Sequence, residues 1–252
     1  MKLIYSRPKS LKKAVFHYCP GCGHSIVHRL TCEVIDELGL QDKAIGVPPP
    51  GCAVFAYYYF DVDMIESAHG RGAAVATGIK RVNPEGIVFT YQGDGDLAAI
   101  GTAETIHAAN RGENITAIFI NNAVYGMTGG QMAPTTLNNM VTTTTPFGRD
   151  NTRSEGNPIK ISEMMALLDG VVYLERTAVN SPANIRKTKN AIRKAFQCQI
   201  DKLGFAMVEV LSPCPTNWRM TPLEAWQWVD KEMTKAFPPG VLKDTTGKKD
   251  AD

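Results

Sequence analysis

The sequence predicts an α/β fold, doubly wound around a mostly parallel sheet, and three observations carry that prediction. Short apolar runs of strand type, at 44–47, 87–92, 115–120, 171–175 and 206–211, alternate with longer stretches whose apolar residues recur at helical spacing. Chain-breaking residues gather just after several of these runs, as PPPG at 48–51, GDG at 93–95 and the pair Asn121-Asn122. The chain has 252 residues, of which 44% are hydrophobic, enough for a sizeable core. No internal repeat or linker divides it, so residues 1–252 read as a single domain.

Each element has a local reason. Ile26, Val27, Leu30, Val34 and Leu38 share a helical face over 25–38, and Gly39 is a natural stop. Residues 72–80 form a helix of small side chains that permits close backbone approach. The spacing predicts further helices over 97–110 and 181–203, the latter opened by Ser181 as cap and Pro182 in the first turn. Thr221-Pro222-Leu223-Glu224 is a capping box for a last helix to about 237. The stretch 123–158 is long and rich in Gly, Thr, Asn and Pro. A loop of that length inside a domain is usually functional or disordered. The tail from about 240 is polar and is expected to be mobile.

Net charge is only +2, which gives no footprint for nucleic acid or a charged membrane. The N-terminus lacks the apolar region of a secretion signal, and no run approaches the roughly 18 apolar residues of a spanning helix. The expected location is therefore cytoplasmic. Six cysteines in a reducing compartment point to metal or redox chemistry.

Gly93-Asp94-Gly95 stands at the end of one strand and opens a helix. Asn122 ends the next strand, 28 residues after Asp94. A βαβ unit brings both to the sheet edge where open α/β sheets bind ligands. Glycines and a helix N-terminus suit a phosphate, but Asp94 would repel one. A hard divalent cation resolves the conflict, since Mg²⁺ takes few protein oxygens and completes its shell with phosphate and water. Asp94, Asn122 and a nearby backbone carbonyl would serve. A dinucleotide site of the G-x-G-x-x-G type is disfavoured, because Ala98 stands where the third glycine would be.

GDG followed by Asn-Asn at this distance is similar to the thiamine diphosphate signature. Together with NNAVYGMTGGQ at 121–131 and AHGRGAAVATGIK at 68–80, it resembles the β subunit of 2-oxoacid:ferredoxin oxidoreductases, from about Tyr18 to Trp218. The resemblance implies a thiamine diphosphate-binding fold, with Mg²⁺ on Asp94, Asn122 and the carbonyl of Val124. It further implies cofactor contacts from Pro50, Gly51, Cys52, Ala53, His69, Gly95, Asp96, Gly126 and Met127.

The cysteines fall into two groups. Cys19 and Cys22 form a C-x-x-C, while Cys52 and Cys214 sit in Pro- and Gly-rich loops after predicted strands. Parallel strands place those loops on the edge that carries Gly93–Gly95. Spacing alone leaves structural Zn²⁺ and a [4Fe–4S] cluster both open. An electron carrier beside thiamine diphosphate has a use, and the resemblance implies the cluster on these four. Cys32 and Cys198 lie within helices and read as packing residues.

The resemblance implies coenzyme A-dependent oxidative decarboxylation of a 2-oxoacid, with electrons passing to ferredoxin and no residue of this chain certain to be catalytic. It places the other half of the cofactor site on an α subunit, with ferredoxin-like and γ subunits alongside. Segment 135–153 would then order against that α subunit. For the substrate, Val54 to Phe60 after Cys52 is apolar and aromatic. Burying an unpaired distal carboxylate there would cost several kcal/mol. That favours 2-oxoisovalerate over 2-oxoglutarate, with pyruvate also open. A non-oxidative thiamine diphosphate enzyme and a zinc-bearing scaffold subunit are the competing readings. Iron content separates the first from the favoured one, and cofactor binding separates the second.

Overall fold

The computed structural model describes residues 6–247. Its centre is a seven-stranded sheet in the order β2-β1-β3-β4-β8-β7-β9. The strands are β1 (Ala44–Val47), β2 (Asp63–Met64), β3 (Ile87–Gly93), β4 (Thr116–Asn121), β7 (Val171–Ala178), β8 (Phe205–Leu211) and β9 (Gly240–Asp244). All neighbours pair in parallel except β9, which runs antiparallel on the β7 edge. Two short strands, β5 (Val124–Tyr125) and β6 (Gln131–Met132), form a separate antiparallel pair.

β4 and β8 are buried along their whole length, as parallel strands covered on both faces must be. One face is covered by α1 (His24–Glu37) and α5 (Pro182–Ile200), whose Val27, Leu30, Ile35, Ile192 and Phe196 pack with Phe89 and Val208. The other is covered by α2 (Gly72–Val82), α3 (Thr102–Asn110) and α4 (Ile161–Ala166), around Ala76, Ala108, Phe119 and Met165. A third apolar cluster joins α6 (Pro215–Trp218) and α7 (Pro222–Trp228) to Val124 and Leu211, near the strand ends.

The capping signals act as read. Ser181 Oγ accepts from Asn184 N–H at 3.2 Å, and Thr221 with Glu224 forms the reciprocal capping box. Two predicted helices are interrupted. Residues 96–100 form a π turn before α3, closed by Gly101 N–H on the Asp96 carbonyl at 2.8 Å. The last helix likewise breaks at a π turn over Val229–Met233. At Gly101 a Cβ would stand 2.6 Å from the Gly70 carbonyl, so only glycine lets the two chains touch there.

Two expectations are corrected. The polar tail is structured up to residue 247: β9 pairs with β7, Lys243 Nζ donates to the Leu168 carbonyl, and Lys194 pairs with Asp244. The remainder of that tail, 248–252, lies outside the described residues. Segment 135–153 is held by its own chain. The guanidinium of Arg149, 4% exposed, donates to the carbonyls of Ala133, Pro134, Thr136, Glu155, Gly156 and Asn157. Among the described residues, no helix is long and apolar enough to cross a membrane.

Candidate cofactor site

The C-terminal ends of β1, β3, β4 and β8, four consecutive neighbours in the sheet, deliver the site. From them come the loop with Pro50 to Ala53, the turn Asp94–Asp96, the turn after Asn122 and the loop with Cys214. Asp94 is 3% exposed and accepts from the Asn122 backbone N–H at 3.2 Å. One terminal atom of the Asn122 amide lies 2.7 Å from Asp94 Oδ2 and 2.7 Å from the Val124 carbonyl oxygen. With nitrogen on that side, Asn122 donates to both. With oxygen there, three oxygens face one another, an arrangement that a cation among them would favour. The other carboxylate oxygen, Asp94 Oδ1, is buried and makes no well-formed hydrogen bond, with the Thr135 hydroxyl close by. Burial pushes the Asp94 carboxyl up to about 8. These features fit the Mg²⁺ group expected from sequence.

A cavity of about 190 Å³ opens beside this triangle. Every expected cofactor contact lines it: Pro50, Gly51, Cys52, Ala53, His69, Gly95, Asp96, Gly126 and Met127. Asp96 is fully engaged as well. Its buried carboxylate accepts from His69 Nδ1 at 2.8 Å, from the Gly70 N–H and from Gln92 Nε2. Asp96 therefore fixes the imidazole, which stands over Gly95 with Tyr125 on the same glycine.

The four loop cysteines are neighbours. Burial first, then the nearby thiols of Cys214, Cys52 and Cys19, push Cys22 up to about 12. Burial, then Cys214 and Cys19, push Cys52 to about 12. Cys19 and Cys22 share a tight turn, with Cys22 N–H on the Cys19 carbonyl at 3.0 Å. Even so, among the described residues no three His, Cys, Asp or Glu side chains close into a metal-binding group. Cys32 and Cys198 are buried in α1 and α5.

Three residues in or beside the cavity escaped the sequence reading. His24, directly after Cys-Pro-Gly-Cys-Gly, lines the cavity with its ring against the Tyr91 hydroxyl, and burial pulls it down to about 3. Its place in the motif was the available signal. Asn217 joins the Gly126 carbonyl at 2.9 Å to the Cys214 thiol at 3.3 Å, and Trp218 Nε1 donates to the Asn122 carbonyl at 3.0 Å. Nothing in their sequence context marks either. The aromatic run from Val54 to Phe60 does not line the cavity. Phe60 stacks on His28 and meets Phe89 edge-on, and Tyr59 packs on Phe16. The geometric basis of the apolar-pocket argument is therefore lost.

The mostly parallel sheet, with Asp94, Asn122 and Val124 meeting at its strand ends, is compatible with a thiamine diphosphate-binding fold, and comparison with known proteins agrees. The family described as thiamine pyrophosphate enzyme, C-terminal TPP binding domain, matches residues 51–210. The chain is 50% identical over 241 residues to ketoisovalerate oxidoreductase subunit VorA of Methanothermobacter thermautotrophicus, covering 96% of this chain and 50% of that protein. It is 38% identical over 207 residues to 2-oxoglutarate synthase subunit KorB of Archaeoglobus fulgidus, covering 82% and 73%. The solved 2-oxoglutarate:ferredoxin oxidoreductase from Magnetococcus marinus superposes with a TM-score of 0.76 at 27% identity, over 98% of this chain and 88% of that one. The chain belongs to the thiamine diphosphate-binding subunits of 2-oxoacid:ferredoxin oxidoreductases. It spans about half the length of the first curated relatives it matches.

Proposed function

We propose that this chain binds Mg²⁺ and thiamine diphosphate and serves in the coenzyme A-dependent oxidation of a branched-chain 2-oxoacid, with electrons leaving to ferredoxin. The observation that carries the reading is the triangle of Asp94 Oδ2, the Asn122 amide and the Val124 carbonyl, beside a cavity lined by all nine expected contacts. Asp94, Asn122 and Val124 would hold the cation. The glycines at 95 and 126 admit close approach, and His69, fixed by Asp96, presents its ring to the cavity. When bound, thiamine diphosphate supplies the carbanion chemistry that releases CO₂ from a 2-oxoacid.

The substrate assignment has two supports. The relative with 50% identity is named for ketoisovalerate. None of the described residues lining the cavity is Lys or Arg, so none offers a permanent cation to the distal carboxylate of 2-oxoglutarate. The mutual proximity of Cys19, Cys22, Cys52 and Cys214 supports a [4Fe–4S] cluster, for which thiolates on loops are the required donors. A partner α subunit closing the cavity is supported by Ile100 and Met127. Both line it while staying 54% and 53% exposed.

The test is anaerobic dye reduction by the chain purified with its bound subunits, given coenzyme A and one 2-oxoacid at a time. Reduction with 2-oxoisovalerate ahead of 2-oxoglutarate and pyruvate is the expected result. Preference for 2-oxoglutarate would discard the substrate and keep the reaction. No reduction by an iron-replete complex would discard the reaction.

A further inference from the structure

Asn122 has a neighbour whose side chain does a different job. Asn121, fully buried at the end of β4, turns to the opposite side and uses both ends of its amide. Its Oδ1 accepts from the Ala123 backbone N–H at 3.1 Å, and its Nδ2 donates to Glu209 Oε1 at 2.7 Å. Ala123 has a φ of 60°, a left-handed conformation that a residue with a Cβ seldom adopts unaided. The Asn121 bond closes this turn, and Thr136 Oγ1 locks it from outside by donating to the Ala123 carbonyl at 2.6 Å. The left-handed residue is what brings the Asn122 amide and the Val124 carbonyl round to the same point.

Glu209 is anchored in turn. Its Oε2 accepts from Arg176 Nε at 2.7 Å and from the Ser162 hydroxyl. Arg176, 1% exposed, donates to Glu163 through Nη1 at 2.9 Å and Nη2 at 2.6 Å. Burying Arg176 and Glu209 is costly unless every polar atom is paired, and the last donor to Glu209 is Asn121.

We propose that Asn121, held by the buried Glu209–Arg176 pair, is a positioning residue for the divalent cation. It sets the Ala123 turn so that the Asn122 amide and the Val124 carbonyl face Asp94. This rests on the Mg²⁺–thiamine diphosphate reading above. It differs from that reading in assigning a cation-binding consequence to residues that would not touch the cation.

The test is a Mg²⁺ titration of thiamine diphosphate binding by equilibrium dialysis, on the full chain with any subunits that purify with it. Asn121→Ala raises the Mg²⁺ concentration for half-maximal binding by about tenfold or more, the scale of outer residues that orient metal ligands. Glu209→Gln, which cannot accept from both Asn121 and Arg176, shifts it in the same direction. Gln199→Met is the control. Gln199 bridges Val88 and Thr116 through buried hydrogen bonds far along the chain from the turn. That variant lowers the urea midpoint and leaves the Mg²⁺ half-point alone. Folded Asn121→Ala and Glu209→Gln proteins with the wild-type half-point would overturn the proposal, as would an equal shift in Gln199→Met. If Asn121→Ala does not fold, Glu209→Gln decides. Wild-type binding that needs no divalent cation would instead overturn the cofactor reading, and the proposal with it.

Discussion

Asp94 is the residue on which the site turns, because its surroundings suit a charge only when a cation is present. Buried, with one oxygen poorly partnered and its carboxyl pushed up to about 8, its charge is poorly accommodated by protein groups alone. Asp94→Ala is therefore expected to relieve a buried polar group while removing a ligand. Mg²⁺-dependent cofactor affinity should fall by on the order of 100-fold or more, since losing a ligand costs at least as much as losing a residue that orients one. The urea midpoint should stay level or rise. A large stability loss with unchanged binding would show that Asp94 is structural. His69 makes a second residue-scale case. Asp96→Ala removes the acceptor that holds the imidazole, and calorimetry should register weaker cofactor binding, by about 1–3 kcal/mol.

At the scale of elements, what sequence patterns reveal is the backbone periodicity of buried pieces. β3, β4 and β8 were readable as apolar runs because both faces are covered. β9 was not, since an edge strand with mostly solvated side chains carries no apolar pattern. Segment 135–153 misled for a similar reason: its order comes from one buried guanidinium meeting six carbonyls, which composition cannot show. Arg149→Met should leave those carbonyls unsatisfied and cost about 3 kcal/mol or more, with hydrogen exchange accelerating through 133–157 ahead of the sheet. α1 carries a pH signature. Burial holds His24 at about 3 and His28 well below its usual range. The unfolded chain binds protons there below about pH 6.5 while the folded one does not, so stability present above that pH is lost as pH falls. Each histidine contributes a slope of about 1.4 kcal/mol per pH unit between its unfolded and folded values. His28→Asn should flatten the acid limb of a denaturation series. An unchanged slope would mean that the imidazole is not buried in solution.

Across the whole molecule, the strand-end convergence explains why so much of the site was legible. GDG, Asn122 and the loops with Cys52 and Cys214 each follow a strand, and parallel pairing of β1, β3, β4 and β8 leaves those ends on one edge. Side-chain direction within a loop has no such rule. Hence Val54 to Phe60 was assigned to the pocket and lies away from it, while Asn217 and Trp218 were passed over and brace it. The exposed Ile100 and Met127 beside the cavity bear on assembly. The isolated chain is expected to show no coenzyme A-dependent oxidation, with activity appearing only when the subunit that covers this face is restored. Turnover by the chain alone would contradict that. The central claim, that the strand ends form a cation-and-diphosphate site, is tested most directly by calorimetry of thiamine diphosphate binding, with and without Mg²⁺, on wild type and Asp94→Ala. Binding that requires Mg²⁺ and is lost in the variant is the expected result. Equal binding without the cation, or in the variant, would contradict it.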